Sequence, residues 1–448
     1  LLHVQFRFYL IADQSMTSFL CQPAQSISGY LRVPGDKSIS HRSIMLASIA
    51  HGTSEISGFL QGEDSLNTLK AFQAMGVDII QTNDEIIVHG VGVNGLKKPG
   101  TELDMGNSGT AMRLLVGLLC GQSFDSVLIG DKSLSGRPMK RVINPVTEMG
   151  ARVESNEAGT APLTIRGQQS LNAIRYVLPV ASAQVKSCVL LAGLYAIGKT
   201  EVIEPAPTRD HTERMLRGFG CDVITNNNEI SIQGGQKLTA TNIEVPADIS
   251  SAAFFMVAAS IAKDSELTLT HVGINPTRRG IIDILELMGA DISLINEREV
   301  GGEPVADIVV RSAQLQGIEI PPHLVPLAID EFPVIFVAAS CARGVTVLTE
   351  AEELRVKESD RIQVMADGLT NLGVQAEPTP DGMKILGGSI KGGEVYSHGD
   401  HRIAMAFAVA SLVADGTITI QDCDNVNTSF PGFAELANSA GMKIKVNG

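Results

Sequence analysis

Hydrophobic positions follow a repeated order along the chain: an amphipathic helical stretch, a glycine, and then a short apolar strand. Six copies read AFQAMGVDI, VTEMGARVE, MLRGFGCDV, ILELMGADI, GLTNLGVQA and LANSAGMKI. Their glycines, Gly76, Gly150, Gly220, Gly289, Gly373 and Gly441, are separated by 74, 70, 69, 84 and 68 residues. One such glycine could simply cap an unrelated helix, because only Gly adopts positive φ cheaply. Six at near-constant spacing predict six repeats of one unit of roughly 70 residues.

Strand-like stretches such as EIIVHG and LTLTHVG alternate with helical ones such as SIMLASIAHG and AMRLLVGLLC. This alternation predicts an α/β fold with mixed sheets. The chain has 448 residues, too many for one ordinary core, so we expect two large domains. Pro34 with Gly35, and Val245 to Ala247, are the turn-like junctions at which we expect the chain to cross between them.

The composition of the chain disfavours several classes of binding partner. The formal net charge is −14, aromatic residues make up 4% and Trp is absent, which disfavours nucleic acid and anionic membranes as partners. The six cysteines are far apart and form no C-x-x-C pair, which favours a reduced, cytoplasmic setting. The longest apolar run, residues 252–262, is too short to span a bilayer. An anionic ligand must therefore be held by a local cluster of Lys and Arg.

Several segments place such cations at a helix start or a small-residue loop, where phosphates bind. They include VPGDKSISHR, DMGNSGTAMR and LSGRPMK, and together the chain offers Lys37, Arg42, Arg113, Arg137, Arg209, Lys357, Arg361 and Arg402 beside few carboxylates. Ser38 and Ser182 could equally be ordinary helix caps. We expect His211 to lie at the solvent-exposed start of a helix. The implied ligands are small and heavily anionic. No Walker loop and no metal-ligand spacing is present in the sequence.

Three further segments point to chemistry. Asp330 and Glu331 interrupt an apolar stretch, where a carboxylate is costly and can acquire the raised pKa that suits acid or base work. EAEELRVKESDRIQVM is typical of a solvated helix, on which Lys357 and Arg361 would repel at i, i+4 unless an anion lies between them. His401 and Arg402 begin an apolar helix, where a cation is unfavourable without a bound anion.

At these residues the sequence resembles a known family. GDKSISHR, GNSGTAMR, SGRPM, SAQVK, AIDEFP, RVKESDR and GDHRIAMA, with NTSFPGF at the end, are similar in residues and order to the motifs of EPSP synthases. The resemblance implies two globular domains, each of three βαβαββ units with the helices inside. It implies a first lobe of residues 17–34 plus 246–448 and a second lobe of residues 35–245. The first residues do not begin with Met and lack a cleavage pattern, so we expect residues 1–16 to be an N-terminal extension with Met16 as the effective start.

The implied activity is transfer of the enolpyruvyl (carboxyvinyl) group of phosphoenolpyruvate to the 5-hydroxyl of shikimate 3-phosphate, with release of phosphate, in the shikimate pathway to chorismate. By resemblance Lys37, Ser38, Arg42, Ser182, Gln184, Arg209, Asp330 and Lys357 surround shikimate 3-phosphate, and Lys37, Asn107, Gly109, Arg137, Gln184, Arg361 and Arg402 surround phosphoenolpyruvate. Asp330 resembles the base and Glu358 the proton donor, with Lys37 and His401 assisting. No cofactor or metal is implied, and a cytoplasmic monomer is expected.

Two positions depart from the better-known pattern: Ala183 replaces a Ser, and Thr428 stands where many members have a Lys. GDK, SAQVK, RDHTE and NPTR are similar to the class II variant, which implies partial tolerance of glyphosate, an inhibitor of this family that occupies the phosphoenolpyruvate site.

The alternative function is that of the related enolpyruvyl transferase that acts on UDP-N-acetylglucosamine. That family carries a Cys in a mobile loop, whereas Cys120 lies in an apolar helical stretch. We also expect ligand-driven closure of the lobes, because cations on both halves would repel.

Overall fold

The computed structural model describes residues 17–82 and 85–448, so the extension predicted for residues 1–16 lies outside the described residues. The strands are β1 (Ser18–Gln22), β2 (Ser28–Leu31), β3 (His51–Ser57), β4 (Asp78–Gln81), β5 (Glu85–Val91), β6 (Leu103–Asp104), β7 (Ser126–Ile129), β8 (Arg152–Glu154), β9 (Leu163–Arg166), β10 (Arg175–Val177), β11 (Lys199–Ile203), β12 (Val223–Asn226), β13 (Glu229–Gln233), β14 (Ile243–Glu244), β15 (Glu266–Gly273), β16 (Asp291–Val300), β17 (Glu303–Arg311), β18 (Val345–Leu348), β19 (Gln375–Thr379), β20 (Gly382–Leu386), β21 (Gly393–Tyr396), β22 (Ile418–Gln421) and β23 (Lys443–Asn447).

The helices are α1 (Lys37–Ile49), α2 (Glu63–Ala74), α3 (Gly109–Leu119), α4 (Lys132–Ser135), α5 (Lys140–Glu148), α6 (Ala183–Gly193), α7 (His211–Gly218), α8 (Ile249–Ile261), α9 (Gly280–Leu287), α10 (Phe332–Cys341), α11 (Arg361–Asn371), α12 (His401–Ala410), α13 (Val426–Ser429) and α14 (Phe433–Ser439). Among the described residues, no helix is both long and apolar enough to cross a membrane.

The six glycines all lie just past a helix end, as predicted. Gly76, Gly150, Gly220, Gly289, Gly373 and Gly441 have φ between 80° and 114°, the left-handed region that a side chain rarely adopts. They follow α2, α5, α7, α9, α11 and α14, and a strand begins two or three residues after each. The repeat inferred from the hydrophobic pattern is therefore confirmed.

Each repeat forms one small sheet, and the described residues hold six of them. The second unit shows the pattern in full: β6, α3, β7, α5, β8 and β9, in which β6 and β7 are parallel and β7, β9 and β8 antiparallel. Three units include a distant strand: β14 completes the sheet of β3, β2 completes the sheet of β15, and β1 lies between β22 and β23. The predicted βαβαββ architecture is the one observed.

Two hydrophobic cores divide the chain. One contains buried residues from Phe19 to Val33 and from Ala247 to Ile444, the other residues from Ile39 to Val245. The helices α8, α10 and α12 pack against one another, and almost all of their residues are buried, which is typical of helices surrounded by sheets. We propose that the two cores mark the first and second lobes, with crossings at Pro34–Gly35 and Val245–Ala247.

Candidate functional site

A cleft lined by residues of both proposed lobes lies beside the two proposed crossings. It brings together fourteen of the fifteen predicted site residues: Lys37, Ser38, Asn107, Gly109, Arg137, Ser182, Gln184, Arg209, Asp330, Lys357, Glu358, Arg361, His401 and Arg402. Nine Lys and Arg side chains and five Asp and Glu side chains line it, an excess of four positive charges in a chain of net charge −14. The arrangement suits small anions with several charges.

Carboxylates are more numerous here than the sequence motifs indicate. Asp64, Asp248 and Glu353 line the cleft together with Asp330 and Glu358. Asp64 is buried and forms an ion pair with the Lys37 ammonium. The expectation of few carboxylates is therefore wrong, because residues from outside the motifs, Asp64 above all, enter the site through the packing of α2 against α1.

Lys37 begins α1, whose N-cap is Asp36; the Asp36 carboxylate accepts a hydrogen bond from the Ile39 amide at 2.8 Å. This cap directs Lys37 and Ser38 into the cleft. The Lys37 ammonium also donates to Ser429 Oγ at 2.8 Å, across from the first lobe. Ser429 belongs to the NTSFPGF segment, whose resemblance to the family was the signal that could have identified it.

The second lobe supplies a hydrogen-bonded group of polar side chains at the start of α3. Arg113 Nη1 donates to Gln184 Oε1 at 2.5 Å, and Gln184 donates to Thr110 Oγ1 at 2.9 Å. Arg137 Nη2 donates to Asn107 Oδ1 at 2.6 Å. These contacts hold two guanidinium groups next to the Gly109 backbone. Ser182 caps α6 by accepting from the Val185 amide, so it has the capping role as well as a place in the cleft.

Asp330 faces four cations. It forms an ion pair with Arg209, lies 3.3 Å from Lys357 Nζ and 3.6 Å from Arg361 Nη1, and its backbone carbonyl accepts from Arg402 at 3.1 Å. Burial alone would raise the pKa of Asp330, but Lys357, Arg209, Arg402 and Arg361 outweigh it and hold that pKa well below the usual range. The expected raised pKa is therefore wrong for the free protein.

Glu358 has a similar environment. Its carboxylate lies 2.6 Å from Arg361 Nη2 and 3.6 Å from Arg137 Nη1. Burial opposes ionisation, yet Arg361 and Arg137 lower the pKa of Glu358 far below its ordinary value. Burial lowers the pKa of His401 to about 3, against the effect of Asp400, so this imidazole is neutral at physiological pH.

Lys357 and Arg361 do not share a helical face, which corrects the helix predicted there. Residues 352–356 form a short 3-10 turn, and α11 begins only at Arg361, after its N-cap Asp360. The anion expected between the two cations is the Asp330 carboxylate itself. Arg361 is held further by Asp400, the N-cap of α12, at 2.8 Å.

Arg42 is the one predicted site residue that does not line the cleft. Its guanidinium is buried behind the wall and donates to the Ser38 carbonyl, Ser187 Oγ and Thr212 Oγ1 at 3.0, 2.9 and 2.7 Å. His211 is also buried rather than solvated, and its Nδ1 lies 2.8 Å from Glu303 of the other lobe. Helix α7 packs against α1, which removes both side chains from water.

The structure also places Glu331 and Thr428. Glu331 points away from the solvent, and one of its oxygens accepts a hydrogen bond from Ser250. The Thr428 hydroxyl donates to the Asn425 carbonyl at 2.7 Å, and Thr428 is not among the residues that line the cleft. The adjacent Ser429, by contrast, contacts Lys37.

Opposite charges meet across the cleft. Arg209 of the second lobe pairs with Asp330 of the first, and Arg137 lies 3.6 Å from Glu358. The two walls attract each other in the free protein. The argument that cations on both halves hold the lobes apart until an anion binds is therefore wrong.

Comparison with known proteins agrees with this geometry. A model of the family described as EPSP synthase (3-phosphoshikimate 1-carboxyvinyltransferase) matches residues 21–436. The chain is 65% identical over 428 residues to the 3-phosphoshikimate 1-carboxyvinyltransferase of Alkalilimnicola ehrlichii, covering 95% of this chain and 96% of that protein. It is 63% identical to the protein of that name from Methylococcus capsulatus, covering 96% and 98%.

Solved structures give the same result. The EPSP synthase of Acinetobacter baumannii matches with a TM-score of 0.88 at 57% identity, over 96% of this chain and 100% of that chain. The enolpyruvyl transferase NikO of Streptomyces tendae, at 16% identity and a TM-score of 0.77, over 97% and 99%, shares the fold. The alternative acceptor, UDP-N-acetylglucosamine, finds no support among these relatives. The chain belongs to the EPSP synthase family, the 3-phosphoshikimate 1-carboxyvinyltransferases.

Proposed function

We propose that this chain, a transferase of the EPSP synthase family, moves the enolpyruvyl group of phosphoenolpyruvate to the 5-hydroxyl of shikimate 3-phosphate in the cleft between its lobes, and releases phosphate. The observation that carries the proposal is the excess of four positive charges around two low-pKa carboxylates, Asp330 and Glu358. The two substrates carry two phosphates and two carboxylates, and this surplus of cations offsets most of their negative charge.

Each substrate has its own part of the cleft in this proposal. Shikimate 3-phosphate contacts Lys37, Ser38, Ser182, Gln184, Arg209, Asp330 and Lys357, and phosphoenolpyruvate contacts Lys37, Asn107, Gly109, Arg137, Gln184, Arg361 and Arg402. The backbone position at Gly109 and the guanidinium of Arg137 lie close together, which supports a bound anion there. Arg42 acts indirectly, by holding the Ser38 carbonyl.

Asp330 is the base for the 5-hydroxyl. In the free protein it is a weak base, because four cations surround it. When the phosphate of shikimate 3-phosphate engages Arg209 and Lys357, these cations share their charge with the substrate and the pKa of Asp330 rises toward a useful value. The bound substrate thus activates its own base.

Glu358 is the proton donor to the methylene carbon of phosphoenolpyruvate. The substrate carboxylate draws Arg361 and Arg137 away from Glu358, so that its pKa rises and it can take up a proton before the reaction. Protonation at C3 makes C2 electrophilic, the 5-oxygen adds there, and Asp330 receives the hydroxyl proton. In the second step Glu358 takes a proton back from C3 while the C2–O bond to phosphate breaks, and the departing phosphate takes up the proton that Asp330 received. Lys37 and neutral His401 support this proton transfer.

The direct test is phosphate release with both substrates together and with each alone. We expect release only with both. Release from phosphoenolpyruvate alone would overturn the proposed acceptor, and release with UDP-N-acetylglucosamine in place of shikimate 3-phosphate would establish the related activity instead.

We further propose that the enzyme acts as a cytoplasmic monomer. All six cysteines are free, five of them buried, which fits a reducing compartment. Light scattering coupled to gel filtration at micromolar concentration should give one chain of 47.5 kDa. A mass of twice that value would contradict the monomer.

A further inference from the structure

Arg278 lies at the place where the chain crosses between the lobes. The two crossing segments pair with each other through their backbones: the Asp36 amide donates to the Pro246 carbonyl at 2.8 Å, and the Asp248 amide to the Pro34 carbonyl at 2.9 Å. Arg278 closes the NPTR segment just before α9, and its side chain is 3% exposed. A guanidinium is thus buried against both crossings, and it is one of the nine cations that line the cleft.

Its two terminal nitrogens join one helix start in each lobe. Nη1 lies 3.1 Å from Asp36 Oδ2, and Nη2 lies 3.2 Å from Asp248 Oδ1 and donates to Ser250 Oγ at 2.6 Å. Asp36 is the N-cap of α1 in the second lobe, and Asp248 is the N-cap of α8 in the first. The planar fork of Arg can bind both carboxylates at once, which a lysine ammonium cannot do with the same geometry.

The partners of Arg278 in turn contact the two segments that carry the proposed reacting groups Lys37 and Asp330. Asp248 Oδ2 accepts from the Lys37 amide at 3.3 Å, and Ser250 donates to Glu331, the neighbour of Asp330 in sequence. Arg278 therefore connects the backbone that carries the lysine shared by both substrates with the segment that carries the proposed base.

The local charge balance shows why the guanidinium is needed. Asp36, Asp248 and Glu331 are 4%, 7% and 1% exposed. Buried carboxylates this close to one another are unfavourable unless a cation lies among them. Burial would raise the pKa of Asp36, but Arg278 and other cations lower it, so that the carboxylate stays charged as both cap and ion-pair partner.

We propose that Arg278 is a positioning residue that fixes the angle between the two crossing segments and thereby sets Lys37 against Asp330. The proposal rests on the proposed function, because Lys37 and Asp330 are reacting groups only there. A shift of about 1 Å between groups in a reacting pair can cost on the order of 100-fold in rate. Loss of the contact that the Arg278 guanidinium makes with both carboxylates should therefore lower kcat more than it weakens substrate binding.

The test compares Arg278→Lys with Arg279→Lys. Arg279 is the matched control, since it pairs with Asp283 on its own helix at 3.0 Å and does not line the cleft. We expect Arg278→Lys to lower kcat about 10- to 100-fold, with both KM values within about threefold of the parent, while Arg279→Lys keeps parental kinetics. A folded Arg278→Lys protein with kcat within twofold of the parent would overturn the proposal, as would a loss confined to KM.

A second variant covers the case in which Arg278→Lys does not fold. Asp36→Ser keeps an oxygen to cap α1 but removes the ion pair, and we expect kcat to fall about tenfold. Hydrogen exchange at the Lys37 and Asp248 amides gives a readout that needs no activity. Faster exchange in Arg278→Lys than in Arg279→Lys supports the positioning role even if the parent releases no phosphate, whereas failure of the proposed function is seen in the parent alone. Unchanged exchange at both amides would contradict the proposal.

Discussion

The two walls of the cleft differ in their charge. The second lobe contributes Lys37, Arg113, Arg137, Arg141 and Arg209 against one carboxylate, Asp64, whereas the first lobe contributes four cations and four carboxylates. The second-lobe wall thus resembles an anion receptor, and the balanced first-lobe wall holds the proposed acid and base. We infer that the second-lobe wall acts mainly in binding, whereas the first-lobe wall binds substrate and also carries the proposed acid and base, so that variants on the two walls should change kcat and KM to different degrees.

The largest effect is expected on the first-lobe wall. Asp330→Asn removes the proposed base, and we expect turnover to fall by roughly two to four orders of magnitude. Binding of shikimate 3-phosphate should persist, because Arg209 and Lys357 lose a competing carboxylate. Steady-state phosphate release and calorimetric binding measure the two effects. Asp367→Asn, exposed on α11 of the same lobe, is the control, and near-parental turnover in Asp330→Asn would remove Asp330 from the mechanism.

On the second-lobe wall, Arg137→Lys should affect binding. Lys cannot reproduce the two-nitrogen contact of Arg137 with Asn107 and a substrate anion, so we expect the KM for phosphoenolpyruvate to rise about tenfold while kcat changes less. Arg152→Lys, an exposed position of the same lobe, serves as control. A fall in kcat at unchanged KM would place Arg137 with the chemistry and break the division between the walls.

A smaller effect on the second-lobe wall is expected from Gly109→Ala. A Cβ at Gly109 would lie 3.1 Å from Arg113 Nη1 and 3.3 Å from Arg137 Nη1, so both guanidinium ends must shift by a few tenths of an ångström. We expect phosphoenolpyruvate affinity to fall about threefold and the inhibition constant of glyphosate to rise further, from a parent that is already partly tolerant. Competition assays of parent and variant measure both. Strong inhibition of the parent would contradict its tolerance, and an unchanged inhibition constant in the variant would contradict the steric effect.

The smallest effect concerns stability and pH. The pKa of His401 is about 3 in the folded protein against 6.5 ordinarily, so the unfolded chain binds the extra proton between these values. This contribution to stability is fully present above pH 6.5 and is lost as the pH falls toward 3. His401→Asn should therefore reduce the slope of unfolding free energy between about pH 5 and 6.5, measured by urea denaturation. The exposed His398→Asn is the control, and equal slopes in parent and His401→Asn would contradict the assignment.

The sequence predicted the repeated parts of this molecule better than its singular ones. The six helix-ending glycines are local signals, since a positive φ depends on one residue and its helix. Fourteen site residues could be found because they lie in motifs that resemble a family. The position of Asp64 in the cleft and the burial of the Arg42 side chain behind its wall could not be predicted, because both depend on which helices pack together. The low pKa of Asp330 has the same origin: its cations come from three distant segments, those of Arg209, Lys357 and Arg402.

The distant strands have a consequence for the order in which the protein can be assembled on the ribosome. The second lobe can complete its own sheets once β14 has been made, because β14 pairs with β3. β1, by contrast, is among the first described segments to be synthesised, yet Ser18 pairs with Asn447 at the other end of the chain. Its hydrogen-bonding edges stay open while the intervening lobe folds, which exposes them to wrong pairing. Synthesis that stops after β14 should therefore give a folded second lobe with two unpaired strands, β1 and β2, attached, and the sheet that contains β1 can be completed only when β23 has been made.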